Sequence, residues 1–325
     1  MKMPKYIREK FGEPTDIRAT MESEFLELAK KDDRIVALGA DSLPWELSPE
    51  ALQWFRQNAP ERYIDVGIAE DHMVTVAGGL AKEGLTVFGF DMAWLFFRGY
   101  NQIRQSIGID RYNVKLIGNI LWSASDGVSH QTFEDIALMR TIPNMIVCAP
   151  ADSVETKKMM RATAQYIGPV YWRHFRHWEY VLPFPIIFEE DYPFKFGVAT
   201  TVREGDDATI IGINEWIPKG FMAAERLAKE GIAARIINMS TIKPIDKGAI
   251  IKAANETGAI VTAETASIIG GLGSAVAEVV VENCPVPMKR IGIRDRYGQS
   301  TTDFDKMDAD YSLTVDSLVN AVKEV

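Results

Sequence analysis

Apolar runs alternate with amphipathic stretches along the first half of the chain. The runs suit buried strands and are RIVALGA, RYIDVGIA, LTVFGF, YNVKLIG, NMIVCAP and GPVYWR, while helical spacing marks residues 20–30, 71–82, 92–108, 132–141 and 152–166. In the second helical stretch, for example, Met73, Val76 and Leu80 fall on one face. Strands that alternate with helices in this way are typical of a parallel sheet covered by helices on both faces. The pattern therefore predicts an α/β fold.

Residues 178–194, WEYVLPFPIIFEEDYPF, break this rhythm. Prolines among aromatic residues suit neither a helix interior nor a central strand, so we predict a linker that packs along the surface. Alternation then resumes, with strand candidates ATIIGIN, ARIINM, GAIVTAE and KRIGI and helix candidates 216–230, 246–257, 272–282 and 313–324. We predict two domains, residues 1–177 and a smaller α/β domain of residues 195–325.

Composition and charge narrow the class of function. The 325 residues are 47% hydrophobic and 25% charged, with a formal net charge of −9 at pH 7. An acidic chain without a basic stripe is unsuited to nucleic acid, and no apolar run reaches membrane-spanning length. The basic start lacks the apolar core of a secretory signal, and two distant cysteines are typical of a reducing compartment. These features predict a cytoplasmic protein that acts on small molecules or on other proteins.

One carboxylate stands at the junction of two apolar elements. In YIDVGIAEDHMVTVAGGLA, residues 63–81, a predicted strand ends at Ala69 and a predicted helix follows Glu70. Ligands of open parallel sheets bind at the carboxyl ends of the strands, where helices begin. The alternative is that Glu70 only complements the helix dipole, as many acids in a first helical turn do. Position alone does not separate the two interpretations.

Other motifs favour the functional interpretation of Glu70. Three segments resemble the pyrimidine-binding domain of transketolases. They are GIAE at the predicted strand end, SDGVSHQTFEDIALMRTIPNMIVCAPAD (125–152) and GPVYWRHFR (168–176). Further on, STIKPID and IIGGLGSAVAEV are similar to the third domain of that family. Their order and spacing hold from about residue 18 to the C-terminus.

The resemblance implies half of a cofactor site. Transketolases bind thiamine diphosphate through Mg²⁺ on a first domain, which carries Gly-Asp-Gly followed by Asn. Here Ser125 precedes Asp126-Gly127 and the Asn partner is missing, so we expect no metal site on this chain. The resemblance thus implies the C-terminal subunit of a split transketolase, which homodimerises within a heterotetramer. A separate N-terminal subunit would hold the diphosphate and Mg²⁺, and the assembly would move a two-carbon ketol unit from a ketose to an aldose.

Four residues correspond to cofactor contacts of the family. The resemblance implies that Glu70 hydrogen-bonds the aminopyrimidine ring nitrogen, which suits a carboxylate that can hold or share a proton. Ile68 matches the bulky apolar side chain on which the cofactor bends. Trp94 is our candidate for stacking on the pyrimidine, although aromatic core packing is the alternative. Asp41 in LGAD resembles a cofactor-side aspartate.

Four residues correspond to substrate contacts. The resemblance implies that His130 contacts substrate hydroxyls and transfers protons, which suits an imidazole that titrates near neutrality. Asp126 would hold a neighbouring hydroxyl. Arg173 and Arg18 match arginines that meet the terminal phosphate of the substrate, because guanidinium pairs with oxyanions in a bidentate manner.

Some positions depart from the family pattern. Gly118 stands where the family usually has a phosphate-facing histidine, and Ala266 stands at another position that is typically histidine. Trp122 brings bulk close to Asp126. The donor or acceptor is therefore expected to differ from the usual pentose phosphates, with an anionic tail that is phosphate or another oxyanion.

Three other functions stay open at this point. The same scaffold serves 2-oxo acid dehydrogenase β subunits and deoxyxylulose-phosphate synthases, and a catalytically silent scaffold subunit is a further alternative. The DGVSHQ segment favours the transketolase branch over the dehydrogenase.

A glycine-rich segment in the second half has two interpretations. It is either an anion nest before a helix or a tight turn, and we favour the turn; its glycines are Gly270, Gly271 and Gly273.

Overall fold

The computed structural model describes residues 9–13, 15–122, 127–175, 185–301 and 303–325. The strands are β1 Ile35–Gly39, β2 Tyr63–Asp65, β3 Thr86–Met92, β4 Val114–Ile120, β5 Ile146–Cys148, β6 Val170–Phe175, β7 Thr200–Arg203, β8 Ala208–Gly212, β9 Ala234–Asn238, β10 Thr241–Lys243, β11 Ile260–Ser267 and β12 Met288–Ile293. The α-helices are Ile17–Lys31, Leu43–Glu46, Pro49–Asn58, Glu70–Lys82, Tyr100–Gln102, Asp135–Thr141, Ser153–Gln165, Trp216–Ala228, Lys247–Thr257, Leu272–Asn283, Phe304–Asp310 and Val315–Lys323. Short 3₁₀ turns span Pro60–Arg62 and Leu95–Phe97, and a π-helical segment spans Ile103–Gly108.

The strands form two sheets, as the alternation predicts. The first has seven strands in the order β10-β5-β6-β4-β3-β1-β2, and all of its pairs are parallel except β10 with β5. The second has five strands in the order β12-β11-β8-β9-β7, and only β7 is antiparallel. The predicted α/β class, with a parallel sheet in each half, is confirmed.

Helices cover both faces of the first sheet. Phe88 and Phe90 of β3 point to one face, where their ring centroids lie 5.0 and 4.9 Å from that of Phe25 in helix Ile17–Lys31. Val87 points to the other face and belongs to the cluster that contains Met73 of helix Glu70–Lys82. Strands buried on both faces need apolar residues at every position, which is why they could be recognised as continuous apolar runs.

Two predicted elements differ in the structure. The strand predicted for 63–69 ends at Asp65, because the Asp65 carboxylate accepts hydrogen bonds from the N–H groups of Asp41 and Gly67 and turns the chain. Gly67 has φ +71°, a conformation that suits glycine. The helix predicted for 92–108 is instead the end of β3 followed by three short helical pieces, so the aromatic stripe is not one continuous helix.

The two halves of the chain share contacts. Strand β10 comes from the second half but pairs with β5 at the edge of the first sheet. In the described part of the predicted linker, the Phe188 and Tyr192 rings stack with centroids 3.9 Å apart, and the backbone N–H groups of Ile187 and Phe188 bond to the Asp152 carboxylate. Among the described residues, no helix has the length and apolar character needed to cross a membrane.

Candidate active site

The candidate site lies at the carboxyl edge of the first sheet. Strands β2, β1, β3 and β4 are neighbours there, with Gly39 paired to both Asp65 and Phe90 and Met92 paired to Asn119. Because these strands end at the same level, the segments that follow them converge. This is the edge at which open α/β sheets bind ligands.

Glu70 is buried at the beginning of a helix, as its place in the sequence predicts. It is the first residue of helix Glu70–Lys82 and only 2% exposed. Its Oε2 accepts a hydrogen bond of 2.6 Å from Nη1 of Arg98, which is itself half-exposed. A buried carboxylate is costly without a partner, and the hydrogen bond from Arg98 supplies one.

Sequence reasoning missed Arg98. The one available signal was that a buried acid needs a cation, but nothing in the sequence says which of the many basic residues supplies it. Arg98 reaches Glu70 because the chain at Gly99 lies close to the first turn of the helix. A Cβ at Gly99 would lie 3.1 Å from Val74 Cγ2 and 3.3 Å from Asp71 Cα, so glycine permits this approach.

Trp94 and His130 meet although 36 positions separate them in sequence. Their ring centroids are 5.4 Å apart with an interplanar angle of 69°, an edge-on contact. The His130 backbone N–H donates to the Gly127 carbonyl at 3.1 Å, and Nδ1 lies 3.0 Å from Ser129 Oγ. The indole Nε1 of Trp94 is buried without a hydrogen-bond partner among the described residues. Stacking by Trp94 and proton transfer by His130 stay predictions.

Ile68 and Asp41 flank a rigid corner of the site. Asp65 Oδ1 accepts from the Asp41 N–H at 2.9 Å and from the Gly67 N–H at 2.8 Å, which ties the ends of β1 and β2 together. Asp41 has φ +63°, and Ile68 is 74% exposed. An exposed isoleucine beside a buried acid offers an apolar surface to a ligand. Sequence reasoning did not single out Asp65.

The loop that carries His130 is held by hydrogen bonds to the second half of the chain. Gln131 Nε2 donates to the carbonyls of Trp122 and Gln299 at 2.8 and 2.9 Å. Trp122 Nε1 donates to Asp308 Oδ1 at 2.9 Å, and Lys219 Nζ donates to Asp308 Oδ2 at 2.7 Å. Trp122 is thus directed to the second sheet's domain. The predicted substrate residue Asp126 lies outside the described residues.

Arg173 lies inside the protein and is completely buried. Its Nε donates to Asp135 Oδ2 at 2.8 Å and its Nη2 to the Thr265 carbonyl at 2.6 Å. The Tyr171 hydroxyl donates to the same Asp135 oxygen at 2.9 Å, and burial raises the pKa of Tyr171 well above its ordinary value. The structure therefore gives Arg173 a structural ion pair, and its predicted contact with the substrate tail stays a prediction.

Tyr171 also accounts for the glycine at position 118. A Cβ at Gly118 would overlap the Tyr171 hydroxyl, so a histidine there is incompatible with this tyrosine. In this structure Tyr171 therefore leaves no room for a side chain at position 118.

Arg18 is held elsewhere. Its Nε donates to Glu22 Oε1 and its Nη2 to the Trp45 carbonyl, each at 2.6 Å. Among the described residues, Arg18 and Arg173 share no hydrogen-bond partner. The structure therefore does not join the two predicted tail-binding arginines through a common contact.

The glycine-rich segment before helix Leu272–Asn283 binds an internal carboxylate. The N–H groups of Leu272 and Gly273 donate to the two Glu264 carboxylate oxygens at 2.7 and 2.8 Å. A Cβ at Gly271 would overlap the same carboxylate. The segment is thus a tight turn whose free N–H groups hold Glu264 of β11. Burial raises the pKa of Glu264 to about 7, although these two hydrogen bonds lower it.

We expect Glu264→Gln to change how stability depends on pH. Between pH 4.5 and about 7 the unfolded chain loses the Glu264 proton while the folded chain keeps it, so the free energy of unfolding falls as pH rises. Relative to wild type, the variant should gain up to about 3 kcal/mol across that interval. Urea unfolding at several pH values measures this difference. Glu282→Gln, which changes an exposed acid of helix Leu272–Asn283, should show no such gain, and equal behaviour of the two variants would contradict the assignment.

Comparisons with known proteins decide the family. The transketolase pyrimidine-binding domain family matches residues 13–177, and the transketolase C-terminal domain family matches residues 197–318. The chain belongs to the transketolase family. Membership implies thiamine diphosphate as the cofactor of the assembled enzyme.

The similar proteins include separate subunits. The 6-deoxy-6-sulfo-D-fructose transketolase subunit SqwH of Clostridium sp. (strain MSTE9) is 40% identical, over 95% of this chain and 94% of its own length. An apulose-4-phosphate transketolase subunit of Phocaeicola vulgatus is 36% identical, over 86% of this chain and 87% of its own. A solved structure described as a split gene transketolase, an inactive beta4 tetramer, is 37% identical with a TM-score of 0.85, and the match covers 95% of this chain and 97% of that one.

Proposed function

We propose that this chain is the C-terminal subunit of a two-subunit, thiamine diphosphate-dependent transketolase that transfers a two-carbon ketol unit from an anionic ketose to an aldose. The observation that carries the proposal is the buried Glu70 at the start of a helix, at the carboxyl edge of the sheet and next to the exposed Ile68. The near-complete mutual coverage with relatives named as transketolase subunits supports the two-subunit arrangement.

The residues at this edge of the sheet fit the pyrimidine end of thiamine diphosphate. A pyrimidine ring needs an apolar surface on its faces and a hydrogen-bonding acid at its ring nitrogen, and Ile68 and Glu70 offer these side by side. Arg98 bonds Oε2 of Glu70, which leaves Oε1 for the ring nitrogen. When bound, thiamine diphosphate supplies the carbanion chemistry, and Glu70 holds the ring and the proton on its nitrogen. Trp94 would stack on the ring, and Asp41 would border it.

The diphosphate and Mg²⁺ would be held by the separate N-terminal subunit. Among the described residues of this chain, no group of three or more His, Cys, Asp or Glu side chains is placed to hold a metal ion. We propose that two copies of this chain pair within a heterotetramer, since the similar split gene transketolase is described as a beta4 tetramer. Both cysteines are free, which fits a reducing cytoplasm.

The substrate would bind beside His130. Its imidazole lies against Trp94 in a loop fixed from both halves of the chain, so it is positioned to exchange a proton with a substrate hydroxyl. Asp126, four residues earlier, would hold a neighbouring hydroxyl. Two similar proteins are named for ketoses with a sulfonate and a phosphate group, which supports an anionic tail here. Arg173 and Arg18 remain our candidates for that tail.

We expect turnover only when both subunits are present. The chain would be mixed with its partner subunit, thiamine diphosphate, Mg²⁺, an aldose acceptor and a ketose donor, and product would be followed by mass spectrometry. Sugar phosphates, sugar sulfonates and their neutral analogues would be compared as donors, and kcat/KM should be at least tenfold higher for an anionic donor, because one charged hydrogen bond contributes about 1.5–3 kcal/mol.

Three outcomes would contradict this proposal. Turnover by the lone chain would remove the need for a partner. Condensation or decarboxylation of pyruvate in place of ketol transfer would assign the chain to a synthase or dehydrogenase branch. Equal use of anionic and neutral donors would remove the anionic tail.

A further inference from the structure

A cavity of about 310 Å³ lies in the second domain, and its Tyr311 packs edge-on against Trp122 with ring centroids 5.3 Å apart. It opens between β12, the residues that follow β12 and helix Val315–Lys323, at one edge of the five-stranded sheet. Its volume is at the lower end of the range for small-molecule sites, which runs from about 300 to 1,000 Å³. No residue proposed above for cofactor or substrate binding lines it.

Positive charge is concentrated around this cavity. Arg290, Arg294 and Arg296 line it together with Lys289. Two acids also line it, but each is paired with a lysine: Glu324 with Lys289 at 2.9 Å, and Asp310 with Lys306 at 2.6 Å. In the part of the chain that the structure describes, no carboxylate lies within 4.0 Å of the three arginine head groups.

Backbone contacts orient the guanidinium groups of Arg294 and Arg296, while Arg290 Nη1 donates to the Ile268 carbonyl at 2.9 Å, outside the cavity lining. Arg294 Nη2 donates to the Arg290 carbonyl at 3.1 Å, and Arg296 Nη1 donates to the Asp310 carbonyl at 3.0 Å. The Arg296 guanidinium also lies 3.7 Å from the centroid of the Tyr311 ring, a cation–π contact. Each guanidinium carries five N–H donors, so these bonds fix its position and leave further donors for a ligand.

We propose that this cavity binds a small metabolite that carries a phosphate or another tetrahedral oxyanion group. Like-charged guanidinium groups repel one another, and a bound oxyanion removes that cost while it accepts bidentate hydrogen bonds. Ser317 and Asn320 line the same cavity and add neutral hydrogen-bonding groups. The cavity shares no residue with the cofactor and substrate contacts proposed above.

The test is calorimetric titration of the full chain with inorganic pyrophosphate at low ionic strength. We expect binding in the micromolar to millimolar range at one site per chain, weakened by added salt. The double substitution Arg294→Gln with Arg296→Gln should weaken it at least tenfold, since each lost charged hydrogen bond contributes about that factor. Arg34→Gln, an exposed arginine of the first domain that pairs with Asp32, is the matched control and should bind as wild type does.

Several results would overturn the proposal. One is the absence of measurable heat at millimolar pyrophosphate in wild type. Another is unchanged affinity in the double variant with an unchanged melting temperature. A third is loss of the binding once the partner subunit is added, because the arginines would then be contacts to that subunit. None of these measurements requires turnover, so they are independent of the proposed transketolase activity.

Discussion

Replacement of Glu70 by alanine should lower turnover of the assembled enzyme by roughly 10²–10⁴-fold, the usual contribution of a positioned acid or base. Glu70 is the buried carboxylate at the strand edge, and its Oε1 is not used by Arg98. The alanine variant loses the group that would hold the ring nitrogen and its proton. KM for the ketose should change little, because Glu70 is assigned to the cofactor. Initial rates at saturating cofactor measure the effect.

Asp71→Ala is the matched control for this substitution. Asp71 is the next residue of the same helix turn and is exposed, so its loss removes the same favourable interaction with the helix dipole. We expect the Asp71 variant to retain activity close to that of wild type. Equal losses in the two variants would show that Glu70 acts only as a carboxylate at a helix end.

Arg173→Ala should destabilise the folded chain by about 3–5 kcal/mol, because it leaves a buried carboxylate without its cation. Arg173 and Asp135 are both fully buried and joined at 2.8 Å, and the removal also breaks the bond to the Thr265 carbonyl. Chemical denaturation of the isolated chain measures the change. Arg161→Ala breaks the pair of a half-exposed arginine with Glu24 and should cost less, about 1 kcal/mol. Equal costs in the two variants would contradict the buried-pair assignment.

The predicted contact of Arg173 with the substrate tail is tested separately. If Arg173 also meets the tail, its removal should raise KM for an anionic donor by roughly tenfold to a hundredfold and leave the neutral analogue unaffected. Equal harm to both donors would leave Arg173 with its structural role alone. The comparison requires conditions in which the variant is still folded.

The architecture was accessible from sequence because the sheets are buried on both faces. Runs such as IVALG and ATIIG are continuous, short and rich in β-branched residues, and these features distinguish them from the longer amphipathic helices. The wrong strand boundary arose where a polar side chain determines the backbone conformation. Asp65 ends β2 because its carboxylate accepts hydrogen bonds from two backbone N–H groups. The sequence YIDVGIA reads as one apolar run and does not reveal that the residues after Asp65 form a turn. The short strand β10 escaped prediction because its partner is 93 residues away at Cys148.

Some residues of the candidate site could be predicted from the sequence, and others could not. Glu70, Trp94 and His130 could be nominated because each stands in a local motif, and the structure shows that the last two touch. The residues that support them could not be found, because their contacts join distant segments. Arg98 reaches Glu70 across 28 positions, and Asp308 reaches Trp122 across 186. Such pairs depend on how distant segments pack in three dimensions, and no local period encodes that.

We propose that Glu70 of this chain activates a cofactor that the partner subunit holds. Hydrogen–deuterium exchange at C2 of the thiazolium ring, followed by NMR, tests it most directly. Four samples contain thiamine diphosphate and Mg²⁺ with the lone chain, the lone partner, the wild-type assembly or the assembly with Glu70→Ala. We expect fast exchange in the wild-type assembly alone. Fast exchange in the Glu70→Ala assembly or with the lone partner subunit would contradict it.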